Sequence, residues 1–248
     1  MRTKLVILLT IAALKVQAQI GQYRSELAIG ANAGYAMSQL GFMPEVPQLW
    51  HGGATGGLTL RYTSEKYFSS VCAIVAEVNY AQIGWKEDIL TPEDQPVINT
   101  VTGQPETYQR HQTYIQVPFF ARLGWGRERK GLQFFFQAGP QVGFFLKEKT
   151  ESSFNFANMN LPQRTSKIVA QDTMSVEHRI DYGISAGLGV EFSHPKAGHF
   201  MIEGRYYYGL GDIYGNSKRD FFGRSNFSNI IIKFTYLFDI LKTHQDIK

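Results

Sequence analysis

Residues 227–240 read FSNIIIKFTYLFDI and alternate apolar with polar side chains. Ile230, Ile232, Phe234, Tyr236, Phe238 and Ile240 fall on one parity. Asn229, Lys233, Thr235 and Asp239 fall on the other, with Ile231 and Leu237 as exceptions. Successive side chains point to opposite faces of a strand, so the pattern predicts a strand with one apolar and one mostly polar face. Similar alternation occurs at 26–36, 53–63, 68–85, 108–125, 132–147, 177–192 and 199–210. It is cleanest at 177–192, where Ile180, Tyr182, Ile184, Ala186, Leu188 and Val190 alternate with Asp181, Gly183, Ser185, Gly187, Gly189 and Glu191. Within 108–125, Ile115, Val117, Phe119, Ala121 and Leu123 oppose Gln116, Pro118, Phe120 and Arg122. Pro118 cannot donate to a sheet ladder, which predicts a bulge or irregularity there.

The connections around Ser64, Gly126 and Pro195 are tight, whereas 37–52, 86–107, 148–176 and 211–226 are long and polar. This alternation is the plan of an all-β, eight-stranded antiparallel transmembrane β-barrel, up-and-down in order, with short periplasmic turns and long extracellular loops. Hydrocarbon offers no water to an unpaired strand edge, so 227–240 is expected to close the cylinder against the first strand. A soluble eight-stranded barrel would need a mostly polar outer face. The Leu, Ile, Phe and Tyr on the candidate outer faces argue against it. Gly30, Gly34, Gly183, Gly187 and Gly189 fall on the inward parity and suit a narrow barrel filled by its own side chains.

The chain opens MRTKLVILLTIAALKVQAQ, with a basic start, an apolar stretch and small residues before Gln19. Residues 1–18 therefore read as a secretory signal peptide, 19–240 as the barrel and 241–248 as a short polar tail. The leader carries Arg2, Lys4 and Lys15; without them 22 basic residues remain against 21 acidic ones, in no basic block. The sequence pI near 9.0 thus gives no support for nucleic-acid binding. Cys72 is the single cysteine, which excludes an intrachain disulfide. No apolar run after the leader is long enough for a spanning helix.

EVNYAQIGW at 77–85, YIQVP at 114–118 and FQAGPQVG at 136–143 resemble, in order, elements of the PorT-like outer-membrane β-barrel proteins of Bacteroidota. The first is similar to that family's E-x-x-Y-x-Q-x-G strand end, and the second to its Y-L-E-I-P segment, with Gln116 replacing the usual Glu. FQAGPQVG at 136–143, Asp181-Tyr182-Gly183 with Gly187-Leu188-Gly189, and the Tyr206–Leu210 stretch resemble three further elements in the same order. The resemblance spans essentially the whole mature chain. It implies an outer-membrane β-barrel in a family whose named members serve type IX secretion; the reading adopted is a non-enzymatic structural or accessory subunit of a type IX secretion or outer-membrane biogenesis complex. Its partners would be outer-membrane lipid and other outer-membrane or periplasmic proteins. A small porin is the first alternative, and a lipid A-modifying enzyme the second.

The inward parity collects a polar constellation of Glu77, Arg122, Asp181, Glu203, Arg205 and Lys233. Such a set could gate ions or bind an anion, but a filled lumen needs internal salt bridges, and the structural reading is preferred. His111-Gln112-Thr113 is the nearest match to the Ser–His pair of a lipid A enzyme. Threonine is a poorer nucleophile match and no acid partner is identifiable, so no catalytic residue is assigned. His51, His178, His194 and His199 lack ligand spacing, Gly209-x-Gly211 precedes no helix, and neither a metal nor another cofactor is expected. Trp85, Trp125, Tyr206, Tyr208, Phe234, Tyr236 and Phe238 read as membrane-interface girdles. The long loops are the expected binding surfaces.

Overall fold

Alternating stretches build nine strands: β1 (Gln22–Met43), β2 (Gln48–Leu49), β3 (His51–Tyr67), β4 (Ser70–Glu87), β5 (Tyr108–Gly126), β6 (Gly131–Ser152), β7 (Ile180–His194), β8 (Gly198–Gly209) and β9 (Arg224–Leu241). The computed structural model describes residues 22–127, 130–217 and 220–242. The leader at 1–18 and most of the predicted tail, 243–248, lie outside the described residues. β2 is a two-residue addition to the end of β4. The eight long strands pair antiparallel, each with its sequence neighbours, and β1 pairs with both β3 and β9. That last ladder runs from Leu27 opposite Leu241 to Met43 opposite Arg224, so the ring has no free edge.

The strands run further at the long-connection end than the sequence pattern indicates. β1 continues to Met43 and β6 to Ser152, through segments expected to be loop. In β1 the alternation persists, because Leu40 and Phe42 turn inward and are buried. In β6 the extension is held by pairing of Lys149 with His111 and Glu151 with Gln109. At 22 residues each, β1 and β6 are about twice the 9–11 needed to cross a bilayer. The barrel wall therefore stands well beyond any membrane it spans.

At Pro118 the expected irregularity is an interruption without a register shift: in the ladder with β4, Phe119 pairs with Ala76 and the next pair is Gln116 with Asn79, in the same frame. A register shift on β5 lies at Thr113/Tyr114, in its ladder with β6. Gly30 shows how the ring stays tight, since a Cβ there would lie 1.7 Å from the Tyr236 carbonyl oxygen on β9.

Parity divides the two faces as the alternation predicts. Leu58, Val78, Phe134, Leu188, Ile202 and Ile232 point outward and are exposed, forming an apolar belt around the wall. Such a contiguous patch is too extensive for a surface meant to face water. Trp125, Tyr206, Tyr208, Phe234, Tyr236 and Phe238 are exposed on this outer wall. Trp85 is not: it is 0 % exposed and points inward, because it shares the odd parity of Glu77 and Ile83. Ile231 and Leu237, the apparent exceptions in the last strand, are buried inside.

Candidate functional site

The inward residues form two ion-pair layers and an aromatic cap. In the middle layer, the two terminal nitrogens of Arg205 donate to the Glu77 carboxylate, each at 3.0 Å. Lys233 Nζ donates to the same carboxylate at 2.5 and 2.6 Å. Arg205 Nε also donates to Glu203 Oε1 at 2.9 Å, and Gln137 donates to that oxygen at 2.8 Å. Asn79 adds a bond to Glu77 at 2.8 Å and receives one from Asn32, also at 2.8 Å. The Arg205 guanidinium lies 4.4 Å from the Phe120 ring centroid. Burial in a medium less polarisable than water makes each of these contacts matter, and each charge has an opposite partner.

The second layer lies toward the short turns and is centred on Glu191. Arg61 donates to both of its oxygens at 2.8 Å, and Arg122 donates to Oε2. His199 places Nδ1 2.6 Å from Glu191 Oε1 and Nε2 3.0 Å from Asp239 Oδ1. Arg122 is thereby separated from the Glu77 cluster with which it was grouped on parity, and stands 3.8 Å over the Phe135 ring. Asp181 belongs to neither layer: it accepts from the Tyr207 hydroxyl at 2.7 Å, and its Oδ1 has no partner among the described residues. Arg61, Glu191, Asn79 and Asn32 were missed as members. Their inward parity was the available signal, but parity does not reveal which strands bring them to one height.

At the long-connection end the lumen is mostly aromatic and apolar, with Arg110 buried among it and donating to the Tyr108 and Tyr214 hydroxyls. Phe42, Trp85, Tyr108, Tyr114, Tyr214, Phe222 and Phe227 pack with Val46, Ile89, Val97 and Ile213 into one buried cluster. Phe42 contacts Trp85 edge-on at 5.3 Å and Phe222 at 4.6 Å between ring centroids. Strand ends and loop residues contribute together, so the connections fold in over the barrel mouth. Around this cap, Glu106 accepts from Arg164 Nε and a terminal nitrogen at 3.1 and 2.9 Å. Asp172, on a single helical turn (Ala170–Thr173), is buried with neither carboxylate oxygen hydrogen-bonded among the described residues. Burial pushes its carboxyl up to about 6, against the opposing pull of Arg164 and Arg110.

A cleft of about 490 Å³ opens on the wall below the cap, lined by His51, Gln82, His111, Thr113, Lys147 and Lys149 among others. His51 Nε2 lies 2.8 Å from His111 Nδ1, and His111 Nε2 lies 3.5 Å from Glu151 Oε2. His111 thus has the carboxylate neighbour that the sequence did not identify. Among the described residues, no hydrogen bond joins it to the Thr113 hydroxyl, as an activated nucleophile would require. Also among the described residues, no group of three or more His, Cys, Asp or Glu is arranged to hold a metal.

A family model described as "Outer membrane protein beta-barrel domain" matches residues 17–215. No curated protein matches the chain. Among solved structures, OprG from Pseudomonas aeruginosa aligns at 13% identity and TM-score 0.40, covering 88% of this chain and 98% of its own. Ail of Yersinia pestis, in complex with the heparin analogue sucrose octasulfate, aligns at 15% identity and TM-score 0.36, covering 86% and 99%. Neisserial surface protein A aligns at 8% identity and TM-score 0.35, covering 85% and 96%. At these scores the structural likenesses carry no functional argument.

Proposed function

The chain belongs to the outer membrane protein beta-barrel domain family and resides in the outer membrane, and from that premise we propose that it is a non-enzymatic, non-conducting barrel acting as a structural or accessory subunit. The long connections face the cell exterior, the short turns face the periplasm, and residues 1–18 serve as the export leader. The apolar belt contacts outer-membrane lipid, while the loops, turns and wall contact other outer-membrane or periplasmic proteins. A type IX secretion or outer-membrane biogenesis complex is the assembly that the PorT-like segments favour. Glu77, Arg122, Asp181, Glu203, Arg205 and Lys233 act structurally, as lumen filling.

One observation carries this reading: Glu77, Arg122, Glu203, Arg205 and Lys233 are each no more than 3 % exposed. A water-filled channel would wet these side chains. With the interior closed, the work falls to the outer surfaces. Purification from native membranes in mild detergent tests this directly. Near-stoichiometric recovery of one or more membrane or periplasmic proteins is expected, and recovery of the chain alone would refute the subunit role.

A further inference from the structure

We propose that the wall cleft seats the phosphorylated sugar headgroup of an outer-leaflet glycolipid. The registers of β4, β5 and β6 place the relevant side chains in successive outward rows. Tyr80, Ile115 and Phe144 form an apolar row. The next row toward the loops is Gln82, Thr113 and Lys147, followed by Gly84, His111 and Lys149. The change from apolar to polar occurs between these rows, at the lower edge of the cleft, where the β6 register shift leaves Leu146 as one further exposed apolar residue. A lipid whose chains lie against the first row brings its headgroup to the next two. At Gly84 a Cβ would lie 1.9 Å from the Arg110 carbonyl oxygen, so the position has no side chain, and His51 Cε1 lies 3.3 Å from the same point.

The charge distribution favours an anion bearing hydroxyls. Glu151 is engaged by Lys149 at 2.6 Å and Gln109 at 2.9 Å. Glu148 is engaged by Arg110 at 3.6 Å and Gln112 at 3.4 Å. Lys147 has no ion pair among the described residues and remains available to a phosphate. His51 is 3 % exposed, and its Nδ1 has no hydrogen-bond partner among the described residues. Gln82 and Thr113 supply the mixed donors and acceptors that sugar hydroxyls need. The cleft volume lies within the usual 300–1,000 Å³ range of small-molecule sites.

This inference rests on the orientation proposed above, with the long connections outside. The test uses the full mature chain in phosphatidylethanolamine nanodiscs, with diphosphoryl lipid A as probe and native mass spectrometry as readout. Wild-type protein is expected to retain the lipid. The Lys147→Glu/His111→Ala double variant should lose about tenfold or more in occupancy, and fully dephosphorylated lipid A should bind correspondingly weakly. Lys147→Gln, at an exposed site, carries the same comparison if the double variant does not fold. Equal retention by wild type and variants, or equal retention of the dephosphorylated lipid, would overturn the proposal. Displacement of the lipid by free glucosamine 1-phosphate would assign the cleft to a soluble sugar phosphate and also overturn it. Orientation is read separately by introducing Glu93→Cys into a Cys72→Ser background and labelling intact cells with an impermeant maleimide. Labelling is expected; its absence refutes the orientation, and with it the outer-leaflet source, whatever the nanodisc result.

Discussion

Glu77 is the hub on which the middle of the lumen depends, because both Arg205 and Lys233 are neutralised through it. Glu77→Gln keeps the shape but leaves two buried cations sharing Glu203 alone. Removing one partner of a buried pair costs about 3–5 kcal/mol. The variant should melt at a clearly lower temperature in the heat-dependent gel-mobility shift of folded barrels; an unchanged midpoint would show that the cluster is dispensable. Asp172 makes the opposite case. Its folded-state value, about 6 against an ordinary 3.8, means that the folded protein holds the extra proton between those values. The cost of burying its charge is therefore absent below about pH 4, where the carboxyl is neutral in both states, and it grows as pH rises through the interval. It is complete above pH 6. A shift of this size corresponds to about 1–3 kcal/mol. Asp172→Asn should accordingly raise the thermal midpoint at pH 8 and leave it unchanged at pH 4. Equal effects at both values would remove titration as the cause.

At the scale of the strand, the decisive contacts are between backbones. A Cβ at Gly30 would meet the Tyr236 carbonyl oxygen at 1.7 Å, whereas one at Gly204 meets nothing within 4 Å. Gly30→Val should block the β1–β9 ladder and abolish the folded band on gels, while Gly204→Val, on the outer wall, should fold normally. Equal folding of both would mean that β1 and β9 do not approach as described. The alternation made the strands, their order and their lipid-facing side legible from sequence, since parity depends only on spacing. What it could not convey was height along the barrel. Arg122 and Glu77 share the inward parity but belong to different layers, because their heights depend on the stagger between strands. Trp85 was misplaced for a related reason: an aromatic near a strand end suggests an interface girdle, whereas its odd parity sends it into the cap. The β6 extension looks like loop because its projecting wall is polar, and the β1 extension because its inward side turns apolar at Leu40 and Phe42, which breaks the polar-inside pattern.

For the molecule as a whole, closure and filling have to hold together. The ring removes every sheet edge, the belt meets lipid, and charged and aromatic layers occupy the space inside. On the proposed reading, a barrel built this way would offer partners its loops, turns and wall, and leave solutes no route. The direct measurement is single-channel recording of the purified, folded chain in planar bilayers. The account predicts a baseline indistinguishable from bare lipid over the usual voltage range. Stable, ohmic conductance steps that scale with the amount of inserted protein would contradict it.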